Sequence, residues 1–214
     1  MTRITVLGGT GYAGGAVVAE AAARGHDVVA FSRHAPEETR EKVTHVAGSA
    51  LKREDLESAV TGSDVVVCAL AAVGELEDRF EEVIGEIAGL ALSHGARLGV
   101  IGGAGSLLAS PDGPKVFDTP EFPAQFRAHS LISDTVLEAL RGGDPALDWF
   151  VLSPPLGFGR WAPGEKRGGF RLGGDVLLKD AEGRSAISAA DLAVALVDEI
   201  EHPAHRRTRF TVAY

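Results

Sequence analysis

The sequence predicts an α/β fold, a doubly wound parallel sheet with helices on both faces. Three observations carry this. Six short β-rich runs are separated by helical stretches. The run Val65-Val66-Val67-Cys68-Ala69-Leu70 is apolar throughout, as a strand covered on both faces requires. A glycine-rich turn joins the first β-rich run to the first helical stretch.

Taken in order, Ile4-Thr5-Val6-Leu7 reads as a strand, followed by a helix from about Tyr12 to Arg24 with Gly25 as its stop. Asp27 to Phe31 and Val43 to Val46 read as the second and third strands, and Arg53 to Val60 as a short helix. After the apolar run at 65–70 comes a helix from about Asp78 to Ser93, stopped near Gly95. Arg97 to Ile101 is the fifth strand, Phe122 to Leu140 the next helix, and Asp148 to Leu152 the sixth strand, ended by Pro154-Pro155. The segment 157–174 is rich in glycine, carries Arg160, Lys166, Arg167 and Arg171, and reads as a loop over the carboxyl edge of the sheet. Ser188 caps a helix running to Ile200, and Thr208 to Ala213 is a closing strand. No linker composition interrupts the chain, so residues 1–214 read as one domain, with a substrate-side segment around 155–214.

Composition narrows the function classes. With Cys68 as the one cysteine, an intramolecular disulfide is excluded, which agrees with a reducing cytoplasm. A membrane span needs about 20 consecutive apolar residues, and none occurs. The first residues enter a strand at once, leaving no room for a signal peptide. A formal net charge of −9 disfavours nucleic acid as a partner. The expectation is a cytoplasmic protein acting on a small molecule, away from membranes.

The strongest local signal is Gly8-Gly9-Thr10-Gly11-Tyr12-Ala13-Gly14, with glycine at every third position from Gly8. After a strand and before a helix, such spacing lets the chain turn tightly, lets backbone approach a pyrophosphate, and seats the helix on the sheet. Free amides and the helix dipole then face the anion. The alternative is a merely structural turn. At the end of the second strand a carboxylate would accept from the ribose of NAD(H). Here Ala30-Phe31-Ser32-Arg33-His34 offers none before Glu37. The Arg33 guanidinium can clamp a 2′-phosphate, with the Ser32 hydroxyl beside it, which favours NADP(H) over NAD(H). Otherwise Arg33 is a solvated surface residue.

These motifs, with Gly102-Gly103-Ala104-Gly105-Ser106, Trp149 to Pro155, Ile187 to Ala193 and the closing Arg209 to Tyr214, resemble the atypical short-chain dehydrogenase/reductases. Within them the chain is similar to the NmrA-like, flavin reductase-like group that includes biliverdin reductase B. The resemblance implies a Rossmann fold. It implies that Gly8, Thr10, Gly11, Tyr12, Ala13 and Gly14 line the pyrophosphate, and that Ser32 and Arg33 hold the 2′-phosphate. It further implies that Ala69, Leu70 and Ala71 flank the adenosine. Gly102, Gly103, Pro154, Pro155 and Leu156 would border the nicotinamide.

One departure stands out. The wider superfamily uses Tyr-x-x-x-Lys, where the lysine lowers the tyrosine pKa for proton exchange. Here Tyr12 is followed four positions later by Ala16, and Tyr214 is the last residue. Alcohol oxidation and epimerisation are therefore disfavoured. The resemblance implies hydride delivery to an acceptor that takes its proton from water or a weakly acidic neighbour, as flavins and quinones do. His129 is the candidate proton donor, the alternative being a histidine packed on the sheet. Ser106, at the end of the fifth strand, is a second candidate, or simply a turn residue.

Other signals carry less. Gly159 to Lys166 approaches a P-loop, but Glu165 intrudes and Arg167 stands where Ser or Thr is required. Its basic residues either attract an anionic acceptor or face solvent. His202 and His205 read as surface residues with no metal, and Cys68 as an inert core thiol. The leading expectation is an NADP(H)-dependent reductase for a flat conjugated acceptor, with room for a homodimer. The alternative is a non-catalytic NADP(H) sensor that signals to a protein partner.

Overall fold

The structure is a computed structural model in which residues 1–34 and 41–214 are described; Glu37 lies outside them. Among the described residues eight strands form one sheet: β1 (Arg3–Leu7), β2 (Asp27–Ser32), β3 (Val43–Ala47), β4 (Val65–Cys68), β5 (Arg97–Ile101), β6 (Trp149–Ser153), β7 (Arg171–Gly173) and β8 (Thr208–Ala213). Among the same residues five α-helices cover it: α1 (Tyr12–Ala23), α2 (Arg53–Val60), α3 (Phe80–Ser93), α4 (Arg127–Gly142) and α5 (Ala189–Glu201). The order β3-β2-β1-β4-β5-β6-β8-β7 reverses direction beside β1, and every pairing is parallel except β7 with β8. This is a Rossmann-type sheet, in which the crevice opens outside the carboxyl ends of β1 and β4.

The apolar pattern of β4 explains its central place. Val66 and Cys68 belong to one core with Leu7, Leu56, Ile87, Leu98 and Trp149. Val65 and Val67 belong to the opposite core with Ile4, Val28, Phe150, Leu196 and Phe210. Helices α2, α3 and α4 close the first face, and α1 and α5 the second. Burial pushes the Cys68 thiol up to about 12, so it stays protonated and inert.

Four elements differ from the sequence reading. β4 ends at Cys68, because the chain leaves the sheet at Ala69 to pass beneath Gly8. The helix expected from Asp78 begins at Phe80, preceded by a 3₁₀ turn, Gly74–Arg79. The helix expected from Phe122 begins at Arg127; Pro123, which lacks an amide, is followed by the 3₁₀ turn Ala124–Phe126. The loop after β6 contributes β7, whose Arg171–Gly173 pair antiparallel with Thr211–Ala213. Elsewhere the local signals hold: Gly25 has φ +89° past α1, and the Ser188 hydroxyl accepts from the Asp191 amide at 3.1 Å.

The amino end of the sheet is held by a buried ion cluster. Arg97, on β5, donates to Glu199 Oε1 at 2.6 Å, to the Glu199 carbonyl at 2.9 Å and to the His205 carbonyl at 2.8 Å. Its guanidinium lies 4.6 Å from the Phe150 ring centre. His205 is no surface residue. It is half-buried, with Nδ1 2.6 Å from Glu199 Oε2 and its ring stacked on Phe210 at 4.1 Å; His202 is exposed, as expected. Burial works against the Glu199 charge, but hydrogen bonds from Arg97 and His205 outweigh it and hold the carboxyl below its ordinary value.

Removing one partner of a buried pair costs about 3–5 kcal/mol, so Glu199→Gln should lower unfolding stability by about that much near neutral pH, read by urea denaturation. Glu199 contributes fully above the ordinary carboxylate pKa and loses that contribution as pH falls through its lowered folded value. The gap between wild type and variant should therefore close in acid; a gap constant to low pH would refute the assignment.

Candidate functional site

The carboxyl end of β1 turns into α1 through Gly8, at φ +87°. The Gly8 and Gly9 amides both donate to the Phe31 carbonyl, at 2.9 and 3.0 Å, which ties the turn to β2. Helix α1 has no side-chain cap and no acidic residue in its first turn. Among the described residues the amides of Thr10, Tyr12 and Ala13 have no acceptor. An uncapped helix start with open amides is an anion site.

Gly14 is buried, and a Cβ there would overlap the Gly8 carbonyl oxygen. It therefore does not line the cleft with the rest of its motif. Its part is to seat α1 on the end of β1, so that the open amides point outward. Gly9, which the spacing passes over, is also needed: a Cβ there would meet Ala30 Cβ at 2.9 Å.

From this cradle a cleft of about 1060 Å³ runs across the carboxyl ends of the strands. Ser32 and Arg33 stand on one side, Ala69, Leu70 and Ala71 in the middle, and Gly102, Gly103, Pro154, Pro155 and Leu156 on the far side. Every expected cofactor-binding residue except Gly14 lines it. The Ser32 hydroxyl donates to the His34 carbonyl at 2.7 Å and so keeps only lone pairs for a ligand. Arg33 is exposed and makes no hydrogen bond among the described residues. The glycine cradle, the open amides and the length of the cleft fit a dinucleotide.

The two candidate proton donors separate. His129, on α4, is half-buried and lines the cleft; its Nδ1 is shut off from solvent with no partner. Ser106 does not line the cleft. The turn beyond β5 carries it inward, where it is buried and accepts from Arg209 Nη1 at 2.8 Å, while Arg209 also pairs with Asp175 at 2.6 Å. That hydroxyl is structural.

The sequence reading missed the aromatic wall: Phe122, Phe126, Phe158 and Trp161 all line the cleft. Phe158 and Trp161 come from the 157–170 strap, whose root is fixed by Asp191. This fully buried carboxylate accepts from the amides of Arg167 (2.7 Å) and Gly168 (3.0 Å), with the Tyr214 hydroxyl at 2.6 Å. Burial raises the cost of its charge, and the bonds from Tyr214 and the two amides reverse the balance, holding the carboxyl below the usual range. The Tyr12 hydroxyl donates to the Pro163 carbonyl at 2.9 Å, joining strap to cradle.

Comparison with known proteins agrees with this geometry. A family described as NAD(P)H-binding matches residues 8–203. The Bacillus subtilis (strain 168) protein YwnB, itself uncharacterized, is 35% identical, covering 98% of this chain and 97% of its own. A candidate NADH-flavin reductase from Streptococcus pneumoniae TIGR4 is 30% identical with TM-score 0.86, covering 100% of this chain and 99% of its own. A candidate epimerase from Bacteroides thetaiotaomicron is 30% identical with TM-score 0.88, covering 100% and 97%. The chain belongs to the NAD(P)H-binding family, and it shares its whole fold with the Streptococcus pneumoniae and Bacteroides thetaiotaomicron proteins.

Proposed function

We propose that the protein is an NADP(H)-dependent reductase for a flat conjugated acceptor, a quinone or flavin. The observation that carries this is the open-amide cradle continuing into an aromatic-walled cleft that offers no free phenol. Of the two tyrosines, Tyr12 donates to Pro163, and Tyr214 is held among Asp191, Ser188 and the Glu165 carbonyl. Neither can exchange a proton with a substrate alcohol, which argues against dehydrogenation and epimerisation. The name of the Streptococcus pneumoniae relative supports the same direction.

Bound NADPH supplies a hydride. The chain's own contribution is to bind and orient. Thr10, Tyr12 and Ala13 amides take the pyrophosphate; Arg33 takes the 2′-phosphate; Ala69 to Ala71 border the adenosine; Gly102, Gly103 and Pro154 to Leu156 border the nicotinamide. The 155–214 segment supplies the acceptor side. His129, on the cleft wall, is the side chain proposed to hand a proton to the acceptor.

Two measurements test this. Calorimetry should show NADP⁺ binding more tightly than NAD⁺. Hydrogen bonds to charged groups contribute about 1.5–3 kcal/mol, so Arg33→Glu should cost NADP⁺ affinity roughly tenfold to a hundredfold. No heat with either nucleotide overturns the cradle reading, and an unchanged preference overturns the Arg33 role. In steady-state assays with menadione or flavin, His129→Gln should lower kcat about tenfold or more with cofactor affinity retained; an unchanged kcat assigns the proton to water. A protein that consumes no NADPH with any acceptor, holds both redox forms equally and captures a partner would instead be a sensor.

A further inference from the structure

The tip of the 157–170 strap carries groups that the cofactor site leaves unused. Trp161 lines the cleft yet is 69% exposed, and the exposed Phe126 of the turn before α4 lines it too. Its placement is built in. Gly159 has φ +151°, and a Cβ there would come within 2.6 Å of Trp161 Nε1, so the chain turns back beneath the indole only because that residue is glycine. The Ala162 amide closes this turn on the Gly159 carbonyl at 2.9 Å. Asp191 fixes the root of the strap and Tyr12 its middle, so the backbone that carries the indole is held in place while the exposed side chain is open to a ligand.

The strap's basic residues divide in the same way. Lys166 reaches Glu20 at 3.5 Å, the Arg167 guanidinium lies 4.0 Å from the Tyr214 ring centre, and Arg171 donates to the Lys179 and Tyr214 carbonyls. Arg160 alone of the four lines the cleft, and it has no partner among the described residues. A guanidinium next to an exposed indole is a two-part receptor: a π-face for a flat ring and a fork for an anion.

We propose that Arg160 and Trp161 form an acceptor subsite, in which the indole stacks on a planar ring and the guanidinium pairs with a phosphate or carboxylate on that ring's substituent. This rests on the reductase reading above and narrows its acceptor to planar rings bearing an anionic group. A ring lacking the anion keeps the stacking and loses the pairing.

Fluorescence provides the test. The protein has two tryptophans, Trp161 on the cleft and the fully buried Trp149, so the quenching lost in Trp161→Phe reports Trp161. Titrating the NADP⁺-saturated protein with FMN and with riboflavin should quench emission in both cases, with FMN about tenfold tighter. Trp161→Phe should remove most of the quenching, and Arg160→Gln should bring FMN to the riboflavin affinity. Trp161→Ala should raise KM for FMN several-fold while NADP⁺ affinity holds. Both side chains are exposed, so the variants should keep the fold, checked by circular dichroism. Quenching undiminished in Trp161→Phe, or equal affinities for FMN and riboflavin in the wild type, overturns the subsite. If NADPH is oxidised by menadione but FMN does not quench, the reductase reading stands and the subsite falls.

Discussion

The structure depends on one close approach: α1 rests on the end of β1 with nothing between them but the hydrogen of Gly14. Any larger residue would push against the Gly8 carbonyl and tilt the helix away. Because the helix is seated there, its first amides point past the sheet instead of into it, and the Gly8 and Gly9 amides stay anchored on β2. Tyr12, in that first turn, is then positioned to reach Pro163 and hold the strap. The cradle, the cleft and its aromatic roof follow from that contact.

The two ends of the sheet use their polar groups differently. At the amino end, buried Arg97 and Glu199 and half-buried His205 hydrogen-bond to one another, although Arg97 Nε, Asp148 Oδ1 and Trp149 Nε1 stay without a partner among the described residues. At the carboxyl end, the amides of Thr10, Tyr12 and Ala13 open onto the cleft with no acceptor among the described residues. Backbone amides left open at the mouth of a cleft are groups that a ligand can complete. They mark the working face by the chain's own geometry.

Much of this was legible in the residues. Strand and helix periodicities are local, so seven strands and the cradle could be read directly, and β7 escaped because three residues, two of them exposed, show no alternation. The site was legible where one turn builds it, as at 8–14 and 32–33. It was not legible where distant segments meet. Ser106 turned out to serve Arg209, 103 positions away, and no local pattern reveals that bond. Phe126 and Trp161 face one cleft only because the turn before α4 and the strap meet at the same strand ends. His205 looked like a surface residue because its partner, Glu199, lies in the preceding helix and its stacking ring in the following strand.

The strap joins a rigid root to an unencumbered tip. Asp191 and Tyr214 belong to the scaffold, whereas positions 160 and 161 touch almost nothing that the scaffold needs. Mutations at the tip therefore escape the stability threshold that purges most changes in a protein. Changes at positions 160 and 161 can reshape that end of the cleft while the glycine cradle stays as it is.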